Sequence, residues 1–386
     1  MMGKEMKTIL KLMIFIVTSL ILTSCSGPES TREQSFGNSE RFITLGGSVY
    51  TSEEIDSSVF STRDQGEECF IYYANERYLV YGISKADNSN SYLLTKNLNL
   101  FDFKTGTVIK SIPFAEPAYV GDAIIKGDSL YYCRIPIAEV TGASASWEIH
   151  EASGSSDVTR IKGISSYCDS YPHFAFLNEK VLFSYEDQND KHEFTCGCKL
   201  IDDDRITTLF SYPMILEEDN RTSFLDNEIF SNGETVFAFL SIEGKLNSVF
   251  FNDQGIISKT LFQDHSYHCG MLKSGLILSQ VINQDMQNQY YQVSIISDAG
   301  KSDHFRDRNN KEYYRFTSGP VNHSMAVTDH ALYFFEYKNG GLNRTKISIP
   351  GAKLSNVMPF YIGGNDYLIE DFSNQGHEML FRVHIE

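Results

Sequence analysis

One pattern returns seven times along the chain and narrows the folds open to it more than any other feature: an apolar strand, a short polar turn and a second apolar strand. The instances read YYANERYLVYG, AIIKGDSLYYC, FAFLNEKVLFSY, EIFSNGETVFAF, GMLKSGLILSQ, MAVTDHALYFF and FYIGGNDYLIED. Asn232-Gly233 in the fourth is the clearest hairpin signal, because both residues tolerate the positive φ that tight antiparallel turns require. The turns begin near Asn75, Gly127, Asn178, Asn232, Lys273, Asp329 and Asn365, a period of about 48 residues, which is the span of a four-stranded repeat. A second hairpin follows in six of the units: LFDFKTGTVIKSI, IHEASGSSDVTRI, KLIDDDRITTLF, VFFNDQGIISKTLF, SIISDAGKSDHF and TKISIPGAKLSNV. Each unit therefore supplies strands a, b, c and d, and no convincing amphipathic helix interrupts them.

Repeats of this kind predict an all-β fold, a β-propeller of seven four-stranded blades over residues 41–386, with six or eight blades as the nearest alternatives. The seventh unit ends in MLFRVHIE, a strand c with no strand d behind it, while RFITLGGSVYTS at 41–52 has β character and no hairpin partner. That N-terminal segment is predicted to supply the missing strand and close the ring, which would cover an exposed edge. The layout resembles the uncharacterised propeller domains of bacterial lipoproteins, a resemblance that implies architecture and carries no activity.

The N-terminus points to a compartment. Lys4, Lys7 and Lys11 stand against Glu5, and an uncharged apolar run follows from Leu12 to Leu22, the order of an export signal. The run is shorter than the ~20 residues that span a bilayer as a helix. Leu22-Thr23-Ser24-Cys25 resembles the lipobox of bacterial lipoproteins. The resemblance implies removal of residues 1–24, lipid on Cys25, and an extracytoplasmic protein that meets the membrane through that lipid alone. Residues 25–40 are polar, contain Pro28 and Gly37, and read as a flexible tether.

The formal charge of −17 becomes −19 once the signal and its net +2 are removed. A chain so acidic repels phosphate backbones, so nucleic acid is excluded as a partner. The 27 Phe and 22 Tyr suit strand faces in a large core. Beyond Cys25 lie Cys69, Cys133, Cys168, Cys196, Cys198 and Cys269, expected chiefly as buried thiols, with disulfides as the alternative. The chain is expected to be a monomer and to need no cofactor.

Catalytic signatures fail in turn. The nucleophile elbow, phosphate loop, dinucleotide fingerprint and His-Glu-x-x-His are absent, and a sialidase reading is weakened by a single tryptophan, Trp147. Asp87–Ser91 lacks the Gly and distal Glu of a calcium loop. Asp202-Asp203-Asp204 reads as a solvated acidic turn, and Asp264–Cys269 gathers metal-ligand types without a matching pair elsewhere. Topology says more. In a propeller the d-to-a and b-to-c connections open on one face and the tight a-to-b and c-to-d turns on the other, and here the d-to-a connections are long. They carry Tyr171, His173, Arg221, His265, His268, Arg315 and His323, which are the candidate binding residues. The expected function is a membrane-anchored binding or scaffold module for an envelope protein, peptide or glycan. The alternative is a glycosidase-like hydrolase on the same face, using carboxylates such as Glu217 and Asp219.

Overall fold

A computed structural model of the chain describes Phe42–Ile43 and, from Tyr50 to Glu386, all residues outside 56–66, 87–92, 137–143, 167–169, 216–222, 243–244, 262–266, 283–289, 298–299, 308–313, 329–330, 350–351, 353, 355 and 375–376. Among the described residues every regular element is a strand, and no helix is long and apolar enough to cross a membrane.

The strands form six hydrogen-bonded sheets. The first holds seven strands: Glu67–Ala74, Tyr78–Ala86, Leu93–Asp102, Thr107–Lys126, Ser129–Pro136, Ala145–Ser153 and Ser156–Ser165. It is a double sheet, because the 20-residue strand Thr107–Lys126 serves both halves. Its early part pairs with Leu93–Asp102 and its late part with Ser129–Pro136, the hand-over falling at Ala118, which pairs with Thr95 on one side and Pro136 on the other. Prolines donate no ladder hydrogen bond, so Pro113 and Pro117 mark where one ladder gives way to the next. Three antiparallel four-stranded sheets follow in chain order. They hold Phe174–Leu177 to Arg205–Pro213, Ser223–Ser231 to Gly255–Leu261, and Tyr267–Leu272 to Gly300–Asp307.

All seven tight turns read from the sequence exist, closed by the pairs Ala74↔Leu79, Lys126↔Ser129, Leu177↔Lys180, Ser231↔Val236, Leu272↔Gly275, Thr328↔Ala331 and Gly363↔Asp366. Asn178 and Glu179 both take positive φ, at 49° and 62°, the backbone that a two-residue hairpin demands. The sixth unit is out of phase with its reading. Its sheet runs Arg315–Phe316, His323–Thr328, Ala331–Lys338, Gly341–Ile347 and then Phe42–Ile43. MAVTDHALYFF is therefore the second and third strands, not the first and second. The expected hairpin TKISIPGAKLSNV does not form. The turn lies instead at Asn339-Gly340, both at positive φ, between Lys338 and Gly341. The misreading arose because the true first strand has only two ladder residues and hides inside what looked like a long connection.

The last sheet orders Val357–Gly363, Asp366–Asn374, His377–Ile385 and Tyr50–Ile55, so a strand from the start of the chain lies antiparallel to one from its end. The expected closing segment, 41–52, is divided between two sheets: Phe42–Ile43 runs parallel to Gly341–Ile347, and the pairing with His377–Ile385 begins only at Tyr50. Tyr50 fixes this register. Its ring is 1% exposed, and its hydroxyl donates to the Ser348 carbonyl at 2.5 Å while accepting from the Ser348 amide at 3.2 Å.

Burial explains the composition of the strands. A middle strand such as Val236–Ile242 is apolar on both faces because sheets pack on either side, whereas an outer strand such as Arg205–Pro213 has no buried residue. The core divides into seven clusters, each shared by two successive groups of strands. One of them joins Leu79, Tyr81 and Phe101 of the first sheet to Ile362, Leu368 and Leu380 of the last.

Candidate functional site

Among the described residues, the one acid–base pair whose titration is strongly displaced on both partners lies where Thr107–Lys126 meets the segment entering Phe174–Leu177. In the strand Thr107–Lys126 the register slips between Val120 and Ala123, leaving Gly121-Asp122 as a bulge. Such a bulge re-aims a side chain that regular pleating would send elsewhere. The Asp122 carboxyl turns toward the segment entering Phe174–Leu177, accepting the Phe174 amide at 2.7 Å and its neighbour Ala123's amide at 2.8 Å. His173 is held by its backbone, its amide on the Ser184 hydroxyl at 3.1 Å and its carbonyl on the Ser184 amide at 3.0 Å. Its Nδ1 stops 3.8 Å from Asp122, too far for a hydrogen bond.

Two tyrosines complete the cluster. The Tyr171 ring leans on His173 at 4.8 Å between centroids and on Tyr119 at 5.4 Å, and the Tyr119 hydroxyl donates to that of Tyr171 at 3.3 Å. Gly121 is required beneath it, since a Cβ there would lie 2.3 Å from the Tyr171 ring.

Burial moves the two titrating groups in opposite senses. Desolvation pushes the Asp122 carboxyl up to about 7, against two backbone hydrogen bonds that pull it down, and lowers the His173 imidazole to about 4. Near neutral pH the imidazole is uncharged and the carboxyl is poised at its midpoint. Both side chains keep some exposure, 21% for Asp122 and 23% for His173, so a solute can reach them. Cys133, fully buried below, has its thiol raised by desolvation first and by Asp122 next, and is no nucleophile.

Of the seven candidates, Tyr171 and His173 meet in this cluster. His268 and Arg315 form a second pair: burial, then the Arg315 charge, lowers the His268 imidazole. His323 lies elsewhere. Its Nδ1 shares a 2.7 Å hydrogen bond with the buried Tyr367 hydroxyl, close to the Gly363–Asp366 turn and hence at the tight-turn end of the strands. Its assignment to the loop end followed from the phase error in the sixth unit. Arg221, His265, Glu217, Asp219 and Cys25 lie outside the described residues, as do Asp264 and Cys168. Asp122 and Tyr119 escaped the sequence reading because both sit inside a strand; a Gly-Asp pair within an apolar run is the bulge signal that could have found them.

Asp87–Ser91 lies outside the described residues, and the acidic turn and the other described cysteines resolve as structure. Asp202 pairs with Lys180 at 2.7 Å, Asp203 with Lys126 at 3.6 Å and Asp204 with Arg160 at 3.2 Å, so the acidic turn is neutralised by neighbouring cations. Cys133, Cys198 and Cys269 are buried free thiols, and Cys69 and Cys196 are buried too. Among the described residues no group of three or more His, Cys, Asp or Glu is arranged to hold a metal ion.

No family model matches the chain, and no curated protein matches it. Among solved structures, the WD40 domain of coronin from Toxoplasma gondii aligns over 89% of this chain and 88% of its own, with a TM-score of 0.50 at 10% identity. A chain of the mitotic checkpoint complex aligns over 92% of this chain and 96% of its own, with a TM-score of 0.48 at 11% identity. A prolyl endopeptidase aligns over 81% of this chain and 47% of its own, with a TM-score of 0.48 at 8% identity. The fold assignment rests on the first of these and on the sheets themselves: the protein is all-β, with the architecture of a β-propeller. At such identities the likeness is one of fold alone.

Proposed function

We propose that the protein is an extracytoplasmic lipoprotein, held to a membrane by lipid on Cys25, whose seven four-stranded blades close into one β-propeller through Tyr50–Ile55. Its role is to bind a protein, peptide or glycan at the end of the inner strands where the long connections enter. The observation that carries the binding role is the cluster of Asp122, His173, Tyr171 and Tyr119: a partly exposed pair with displaced titration, walled by two aromatic rings. The blade count is supported by seven cores between successive strand groups, the last group sharing one with the first. The anchor is supported by Leu22-Thr23-Ser24-Cys25 behind its apolar run.

Two experiments test this reading. Cys25→Ala should release the protein from the membrane fraction or leave it unprocessed, with loss of metabolic lipid labelling; unchanged fractionation and labelling would remove the anchor. Capture from envelope extract and on a glycan array should weaken with Tyr171→Ala and persist with Asp202→Asn, which lies on the tight acidic turn. The reverse pattern would move the binding face.

A further inference from the structure

Among the described residues, the strand bulge at Gly121-Asp122 leaves an acid with no charged cation beside it. We propose that this site, on the reading of it as the binding site, takes a protonated primary amine, with the Asp122 carboxylate as its ion-pair partner and the Tyr119 and Tyr171 rings as its walls. Each Asp122 oxygen accepts one backbone amide, which leaves lone pairs free on both. Among the described residues the only group of basic type within ion-pair range is His173 at 3.8 Å, and that imidazole, lowered by burial, carries no charge near neutral pH.

The surroundings supply nothing positive. Tyr119 shares the strand of Asp122, Cys133 faces it from Ser129–Pro136 with Glu148 beyond on Ala145–Ser153, Tyr171 and His173 face it from the incoming segment, and Tyr72 lies beside Tyr119. Every one of these is neutral or acidic.

Three features fit an ammonium group better than a neutral or anionic ligand. An ammonium carries three donors, and the cluster offers three kinds of acceptor: carboxylate, neutral imidazole nitrogen and phenol oxygen. The electron-rich rings of Tyr119 and Tyr171 pack in the same cluster. The formal charge of −17 draws cations toward the protein and repels acids. A desolvated carboxyl also has most to gain from a charge partner, so binding should drive its ionisation and release a proton where the free site is still half protonated.

The amine could belong to a lysyl side chain of a partner or to a free polyamine, and the probes separate these. Full chain in mild detergent is titrated calorimetrically with a lysine tripeptide capped at both ends, with the same peptide acetylated on its side chains, with spermidine, and with neutral oligosaccharides. Runs at pH 6, 7 and 8 use two buffers of different ionisation heat. The proposal expects amine binding about tenfold tighter at pH 8 than at pH 6. It also expects proton release at pH 7, loss on side-chain acetylation, and loss in Asp122→Asn. Spermidine alone binding would assign a free polyamine, and the tripeptide binding more tightly would assign a lysyl partner. Should Asp122→Asn fail to fold by thermal melting, Tyr171→Ala and His173→Gln take its place, each expected to weaken the amine several-fold. Equal binding of the acetylated peptide, undiminished binding in the folded variants, or no amine binding at all would overturn the amine. Oligosaccharide binding that depends on Tyr171, with no amine binding, would overturn it while leaving the binding site in place.

Discussion

The two ends of the inner strands differ in kind. At the tight-turn end the units are tied to one another by short neutral hydrogen bonds. The Asn178 amide reaches the Gly233 carbonyl at 2.6 Å, the Asn232 amide group reaches the Leu272 carbonyl at 3.2 Å, and the Lys273 amide reaches the Val321 carbonyl at 2.9 Å. The Ser274 amide and hydroxyl both donate to Asn322 Oδ1, at 2.9 and 2.7 Å. At the loop end one of the links between the second and third units runs through Asp122, whose strength depends on protonation. The hydrogen bonds named at the first end do not titrate and so hold the same at any ordinary pH, while ion pairs such as Lys180–Asp202 lie there as well. The other keeps an acid and a base partly exposed, each displaced from its usual range. Length of connection thus separates a mechanical end from a chemical one.

The comparison assumes that both ends belong to one cooperative body, and the largest expected effect tests that. Removing the chain through Ile55 should cost most of a stability that for domains lies at about 5–15 kcal/mol, seen as a single lowered melting transition. A truncated protein that melts with the full one would break the comparison at its root.

The next effect is pH-dependent and sharpens the difference between the ends. Asp122, raised from 3.8 to about 7, binds a proton more readily folded than unfolded, so it contributes stability at low pH that is lost as pH rises toward 7. His173, lowered from 6.5 to about 4, does the opposite, costing stability at low pH and ceasing to do so as pH climbs from about 4 to 6.5. At the extremes the Asp122 shift is worth roughly 4 kcal/mol and the His173 shift roughly 3 kcal/mol, and over the pH range they share their slopes nearly cancel in the native protein. Relative to wild type, Asp122→Asn should therefore gain stability with rising pH across about 4 to 7, and His173→Gln should lose it across about 4 to 6.5. Urea unfolding at a series of pH values reads both slopes. Parallel curves for all three proteins would mean that the loop end is as inert as the other.

Smaller still is Asn322→Ala, which strips two donors of Ser274 of their acceptor and should cost about 1–3 kcal/mol by urea unfolding, independent of pH between 5 and 8. Least of all, Tyr171→Phe removes only the 3.3 Å contact with Tyr119 and should shift stability by about 0.5–1 kcal/mol. A larger loss in Tyr171→Phe than in Asn322→Ala would invert the roles assigned to the two ends.

How much of this was legible in the sequence follows from how local each signal is. Hairpins such as Asn178-Glu179 are local, and every one of the seven turns was readable from its dipeptide and its apolar flanks. The phase of the sixth unit was not. Its first strand, Arg315–Phe316, lacks an apolar run of its own and is fixed by neighbours, with the Gly319 amide on the Met271 carbonyl at 2.9 Å. That contact between units leaves no mark at short range. For the site, Tyr171 and His173 were visible because they sit in a polar connection. Asp122 was not, because its importance comes from desolvation and from an amide at Phe174, neither of which is written beside it.

The Tyr50 hydroxyl meets Ser348 across 298 residues of chain. A contact so distant in sequence adds nothing until nearly the whole polypeptide exists, so the opening strand spends synthesis without its partner, and folding must wait on a long loop closure. Yet Tyr50 also stands directly opposite Ile385. A circular permutant joined by a short turn from Glu386 to Tyr50, with new ends opened between 56 and 66, would make this seam an ordinary hairpin. The slowest contact in the native order would become one of the fastest.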